Sequence, residues 1–210
     1  MKRLALIALG ALAAGCGPRY GKRVPNELVA KLPYEARIDL LESENDLGVA
    51  IDQRDEAENE VLRTRNSIRR ARDRKTAAER EVGEAKDQVS RDVARLAVGE
   101  SEARLEYLRA KQEENIAMQE RDDLALECAW STYELAKLNA ARKAKVAGAE
   151  KLELKEFEAQ PKNCQTDVVA RQLLATERAK RSAKAKSEWE TKRNALSEKT
   201  FGARASPYVE

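Results

Sequence analysis

Apolar residues recur at every seventh position over most of the chain. Counting in sevens from Leu40 to Leu152, an apolar side chain occupies thirteen of the seventeen positions without any change of phase. No proline interrupts residues 34–159. A seven-residue repeat of this length is typical of a left-handed coiled coil, whereas a lone surface helix follows a period of 3.6. The pattern therefore predicts an extended all-α protein with one long helix over residues 34–159.

A second set of apolar positions accompanies the first and changes along the chain. Up to residue 85 it lies three residues later and is mainly alanine, at Ala50, Ala57, Ala71, Ala78 and Ala85. Beyond residue 85 it lies four residues later, at Val93, Tyr107, Cys128 and Leu135. Alanine buries little area, so weak packing is expected in the first half. A helix cannot cover its own apolar stripe, which predicts helical protein partners or a homo-oligomer through residues 35–120.

The strongest break in the body lies around Pro161. Residues 160–166 are predicted to form a turn, because proline removes a helical hydrogen bond. A second repeat in sevens follows at Val168, Ala175, Ser182, Trp189 and Leu196. This repeat predicts an antiparallel return helix over 167–200, and thus a helical hairpin, with an irregular tail over 201–210. The reversal would place Trp189 opposite Ser131 and next to Trp130.

Two other reversals remain open. A turn at Gly99 would give three shorter helices and bring the acidic residues 42–60 near the basic residues 137–145. A turn at Gly148 would follow Val146 and Ala147. The repeat passes through Gly99 undisturbed, and one glycine costs a helix only about 1 kcal/mol. The long helix is therefore favoured over the Gly99 turn.

The first sixteen residues have the pattern of an export signal. Lys2 and Arg3 precede eleven uncharged residues, 4–14, which are too few for a membrane-spanning helix of about 20 residues. The segment ends in Leu12-Ala13-Ala14-Gly15-Cys16. This ending resembles the lipobox of bacterial lipoproteins, although Ala13 stands where that class favours leucine.

The resemblance to lipoproteins implies a specific maturation. Residues 1–15 would be a signal peptide, cleaved between Gly15 and Cys16. Cys16 would carry a diacylglycerol on its thiol and an acyl chain on its new amine, so the chain would be membrane-bound. The next residue is Gly17 and not the aspartate that resembles an inner-membrane retention signal. The expected location is therefore the outer membrane, with the body facing the periplasm.

Residues 16–33 are predicted to form the lipidated anchor and a flexible tether. They contain three of the five prolines, at Pro18, Pro25 and Pro33, and each discourages a continuous helix. Three basic residues lie close to the anchor, at Arg19, Lys22 and Arg23. They have two interpretations, as contacts to anionic lipid head groups or as part of a solvated linker.

Two cysteines remain once Cys16 is assigned to lipid. The periplasm is oxidising, which favours a disulfide between Cys128 and Cys164. In the Pro161 hairpin, however, the two would lie about 50 Å apart along the helix. A disulfide needs Cα atoms within about 7 Å. The thiols are therefore predicted to be unpaired within one chain, and only a turn near residue 146 would bring them together.

The composition points away from catalysis. The chain has no histidine, which excludes His-based catalysis and His-ligated metals, and it has no nucleotide-binding or hydrolase motif. No cofactor, metal or small-molecule substrate is expected. Removing Lys2 and Arg3 leaves 38 basic against 37 acidic residues, so no nucleic-acid partner is expected. A weak candidate for anionic ligands is the basic stretch 63–75, at Arg69, Arg70 and Arg72; a solvated face is the simpler interpretation.

These features predict a non-enzymatic lipoprotein with a structural, scaffolding or protein-interaction role in the cell envelope. Two alternatives are a periplasmic holdase-type chaperone and an accessory lipoprotein of a secretion, efflux or motility complex. A holdase would need exposed apolar surface at an arm tip, and residues 152–157 contain Leu152, Leu154 and Phe157.

Overall fold

The computed structural model describes residues 20–203, and this part of the chain is all-α without any strand. The predicted signal peptide, the lipidation site Cys16 and most of the tail lie outside the described residues. A 3₁₀ turn, Ala149–Lys151, precedes the last helix. The α-helices are α1 (Asn26–Val29), α2 (Tyr34–Ile38), α3 (Leu41–Glu84), α4 (Gln88–Lys143) and α5 (Leu154–Lys199).

Helix α4 is the centre of the molecule. Its 56 residues give a length of about 84 Å, and it packs against both α3 and α5, which run antiparallel to it. None of the helices within residues 20–203 is both long and apolar enough to cross a membrane. One chain therefore forms three long helices, with α4 shared between two antiparallel pairs.

The prediction of one helix over 34–159 is wrong, and the first reversal between the long helices lies at residues 85–87. The chain reverses at residues 85–87, where Ala85 is extended and Asp87 caps α4. The Asp87 carboxylate accepts hydrogen bonds from the backbone N–H and the hydroxyl of Ser90, both at 2.7 Å. A capped N-terminus favours a new helix start. Gly99 lies inside α4 and does not form a turn. The alternative reversal at Gly99 is therefore wrong in position, although three long helices do form.

The predicted turn over 160–166 is also wrong, because Pro161 lies inside α5. The chain instead reverses over residues 144–153, the Gly148 alternative. Lys145 and Gly148 both adopt positive φ, at 54° and 100°, and the N–H of Val146 closes the end of α4 on the carbonyl of Ala141. The α5 helix continues through Pro161 because buried Phe157 and Cys164 hold it on either side.

The earlier reversal changes the pairing of α4 with α5. Trp189 stacks on Tyr107, with ring centroids 5.5 Å apart, so the expected contact with Ser131 is wrong by 24 residues. The Trp189 indole N–H donates to buried Glu100 at 2.7 Å. Trp130 lies beside Tyr133 and not beside Trp189.

The buried positions nevertheless follow the spacing in sevens. On α3 they are Leu47, Ala50, Ala57, Val61, Thr64, Ile68, Ala71 and Ala78. On α5 they include Ala175, Ser182, Trp189 and Leu196, as predicted. Helix α4 covers both stripes within the same chain. The stripe on α3 that motivated a homo-oligomer through residues 35–120 is therefore covered within one chain, although Val89 of α4 remains 67% exposed.

Candidate interaction surface at the N-terminal segment

The N-terminal segment, residues 20–40, is packed on the body. Its buried residues recur at every fourth position: Tyr20, Val24, Leu28, Leu32, Ala36 and Leu40. From Val24 onward they form one apolar cluster with Leu138, Ala141 and Phe157. The prediction of a flexible tether is therefore wrong for residues 20–33.

The prolines of this segment start helices. Pro25 caps α1 and Pro33 caps α2. Proline costs little at a helix start, because the first N–H groups have no partner within the helix. Two short helices, with a buried residue at every fourth position, allow the segment to pack along α4 and α5. The spacing was visible in the sequence, but the prolines favoured a tether interpretation.

A disulfide joins Cys128 of α4 to Cys164 of α5, with Cα atoms 5.5 Å apart. The prediction of unpaired thiols is therefore wrong. The prediction failed because the chain reverses over residues 144–153. This turn places Cys128 and Cys164 opposite each other in the antiparallel pair of α4 and α5. Tyr20 packs in the same buried cluster as the two cysteines, and its hydroxyl donates to Asp167 at 2.6 Å. The first described residue is thus held against the disulfide.

A buried ion pair fixes the next turn of the segment. Glu134 accepts a hydrogen bond from the backbone N–H of Val24 at 2.7 Å and a second from the ammonium of Lys137 at 2.9 Å. Lys137 also lies over the ring of Tyr133, 4.1 Å from its centroid. Both charges are buried, and a buried pair is tolerated when further hydrogen bonds satisfy it. The Glu134 carboxylate therefore couples the segment to α4.

A cavity of about 630 Å³ opens beside this ion pair. Its walls include Arg23, Glu44, Leu47, Trp130 and Tyr133. Burial raises the pKa of the Tyr133 hydroxyl, and the nearby carboxylates of Glu44 and Glu134 raise it further. The cavity combines aromatic surface with charges of both signs.

Two basic residues of the segment, Lys22 and Arg23, contact the body. Arg23 lies 5.0 Å from the centre of the Trp130 ring. Lys22 pairs with Glu156 at 2.7 Å, and its backbone N–H donates to Gln160 at 3.1 Å. Both contacts hold the segment to α4 and α5. Arg19, the third basic residue, lies outside the described residues.

A second groove lies between the three long helices and has a volume of about 660 Å³. Asn115 in its floor donates to Thr64 at 2.8 Å and to the carbonyl of Glu60 at 3.3 Å, which links α4 to α3. Arg121 pairs with buried Asp122 and bonds Gln172 of α5. These contacts set the alignment of the helices. Within residues 20–203, no group of three or more metal-binding side chains is arranged around a common point.

The other predicted residues lie apart from this surface. Arg69, Arg70 and Arg72 are exposed on α3, where Arg70 bonds Ser67 at 3.0 Å. They lie about 40 Å along α3 from its start. The apolar tip expected for a holdase is engaged in the core, since Phe157 is buried and Leu152 and Leu154 pack on its cluster.

No protein-family model matches the chain, and neither a curated protein nor a solved structure matches it. The N-terminal segment, the disulfide and the buried ion pair form one structural unit. Tyr20, the first described residue, is held beside α5 by Asp167 and by the disulfide cluster.

Proposed function

We propose that the chain is a lipoprotein of the outer membrane whose elongated helical body serves as a periplasmic scaffold. The observation that carries this proposal is the segment Leu12-Ala13-Ala14-Gly15-Cys16, which has the form of a lipobox. The Cys128–Cys164 disulfide supports it independently, because structural disulfides persist in oxidising compartments such as the periplasm. Cys16 carries the acyl chains, and Tyr20, which packs with the disulfide, follows four residues later in the sequence.

The scaffold acts through shape. Three long helices present extended outer faces to protein partners, and α4 holds α3 and α5 in fixed register. The buried positions spaced in sevens support a finer proposal, that the α3–α4 and α4–α5 pairs pack as antiparallel coiled coils. The role is structural and not enzymatic.

A substitution series at the lipobox tests the anchor. Cys16→Ser removes the thiol, so we expect loss of label from radioactive palmitate and release of the body from the membrane fraction. Gly17→Ala is the matched control and retains both the label and the outer-membrane fraction. Gly17→Asp creates the residue that resembles an inner-membrane retention signal and shifts the labelled chain to the inner membrane. A labelled, membrane-bound Cys16→Ser chain would contradict the proposal.

A further inference from the structure

The distance between the anchor and the body is short. Three residues separate Cys16 from Tyr20, so this stretch spans at most about 14 Å even when fully extended. Tyr20 itself is held by Asp167 and packs with the disulfide. If Cys16 is lipidated, as the proposed function requires, Tyr20 must stay within this distance of the lipid attachment point.

Tyr20 does not lie at an end of the body. It packs at the level of Cys128, which is 15 residues before the end of α4 at Lys143, or about 22 Å. The opposite end, at Gln88, lies 40 residues away, or about 60 Å. A body standing upright on either end would hold Tyr20 farther from the membrane than the chain can reach. The long axis must therefore incline by no more than about 40° from the membrane plane.

One outer face of α5 is suited to that side-on contact. Val169 and Leu173 are 52% and 68% exposed. They lie within two turns of Asp167, the partner of Tyr20, but on the other side of α5, because a step of two residues turns a helix by about 200°. Lys180 and Lys184 are exposed farther along. Spacings of four, seven and four residues place these side chains on one side of a helix.

The charge around this face fits an anionic surface. Residues 168–187 contain six basic residues and one acidic residue, Glu177. Two of the arginines pair with glutamates of α4 and the third pairs with Glu177, so the positive charge that faces outward comes from the lysines. Helix α3 differs, because residues 42–60 contain eight acidic residues and only Arg54 as a base. Exposed apolar residues flanked by lysines bind at the boundary between lipid head groups and acyl chains. An anionic leaflet would attract α5 and repel the start of α3.

We infer that the outer face of α5, at Val169, Leu173, Lys180 and Lys184, lies on an anionic phospholipid surface while Cys16 anchors the chain. This inference rests on the proposed function and deepens it. The body then lies along the membrane, with α5 towards the lipid.

Depth measurements on the full lipidated chain test this orientation. A fluorescent label is attached at Leu173→Cys or, as the matched control, at Leu62→Cys, an exposed apolar position on α3. The chain is placed in vesicles of phosphatidylethanolamine and phosphatidylglycerol that contain a head-group quencher. The label at residue 173 should be quenched and blue-shifted, and the label at 62 should not. Equal quenching at both positions would overturn the inference.

A charge test separates attraction from chance proximity. The double variant Lys180→Gln with Lys184→Gln should lower the ratio of chains whose α5 contacts lipid to chains whose α5 does not. The expected decrease is about 25-fold, or about fivefold for each lysine. Quenching at residue 173 should fall accordingly. Arg69→Gln with Arg70→Gln removes the same charge from α3 and should change nothing. No effect of the lysine pair, or equal effects of both pairs, would overturn the inference.

The failures of the two proposals are distinguishable. A chain that is not acylated and does not sediment with membranes refutes the proposed anchor. A chain that is acylated and sediments, but whose residue 173 remains as accessible as residue 62, refutes only the orientation. Concentration-dependent protection of residue 173 in the soluble Cys16→Ser chain would show that a second copy covers this face, which also overturns the lipid contact.

Discussion

The two ends of the body use the same seven-residue repeat but bury very different side chains. At the end near residues 144–153, eleven buried apolar residues form one cluster, including Leu28, Leu138 and Phe157. At the opposite end, near residues 85–87, the cluster consists of Ala78, Ala97 and Leu196. The first end also has the N-terminal segment as an additional layer. The stability of packed helices depends on the apolar area that they bury. Because the first end buries more apolar area than the second, it should be the more stable of the two.

This difference predicts where the body opens first. Local unfolding begins where few apolar contacts are buried. The end near residues 85–87 should therefore exchange its backbone amides faster than the end covered by the N-terminal segment.

The largest expected effect comes from the disulfide, which lies closer to the well-packed end. The double variant Cys128→Ala with Cys164→Ala should lower the free energy of unfolding by about 4 kcal/mol, because the bond closes a loop with a sequence separation of 36. Urea unfolding of the variant and the oxidised chain measures this loss. A loss below about 1 kcal/mol would mean that helix packing alone fixes α5 on α4.

A matched pair of leucine truncations compares the two ends directly. Leu138→Ala should cost about 3 kcal/mol, because Leu138 is fully buried among large side chains. Leu196→Ala should cost about 2 kcal/mol, since its alanine neighbours offer fewer contacts. The midpoints of urea unfolding provide the comparison. Equal costs, or a larger cost at Leu196, would contradict the proposed difference between the ends.

Substitution of two glycines by alanine tests the packing at the end near residues 144–153. Gly148→Ala should destabilise the protein by about 1–2 kcal/mol, because φ is 100° and an added Cβ would lie 3.3 Å from Leu28. Gly99→Ala is the control. No atom lies within 4 Å of its added Cβ, and alanine favours a helix, so it should stabilise α4 by about 1 kcal/mol. Thermal unfolding should show shifts of opposite sign.

The smallest effect concerns the second end and depends on pH. Hydrogen bonds from Ser90 lower the pKa of Asp87 from its ordinary value of 3.8. The ionised cap therefore stabilises the start of α4 above that value, and its contribution is lost as the pH falls through the lower folded pKa. The protection of the Ser90 and Arg91 amides, relative to the intrinsic exchange rate at each pH, should fall over this range. Asp87→Asn preserves a cap without a titrating group, so its protection should not change with pH. The same loss of protection in this variant would implicate another residue.

The sequence predicted the helical class and the buried faces of α3 and α5, but not those of α4 and not the register. Ile68 on α3 and Ala175 on α5 are buried as their spacing in sevens indicated. A repeat in sevens looks nearly the same after α4 slides past α5 by several repeats, so it could not distinguish a reversal at Pro161 from one near Gly148. The break before α4 was hard to detect because its main signal is the single cap Asp87.

The candidate surface at residues 20–40 was not predicted from the sequence. The lipid anchor at Cys16 stays a prediction, since it lies outside the described residues. The packing of residues 20–40 could not be inferred from propensity, because prolines at 25 and 33 suggested a linker. Its stability depends on contacts with Leu138 and Phe157, which are distant in sequence and become neighbours only after the chain reverses.

The complete burial of Cys164 has a consequence for how the protein matures. Cys164 has no solvent exposure in the folded body, where α4 and Tyr20 cover it. The two thiols must therefore be oxidised before α5 has packed fully on α4. Once closed, the bond is sealed from dissolved reductants for as long as the native state lasts.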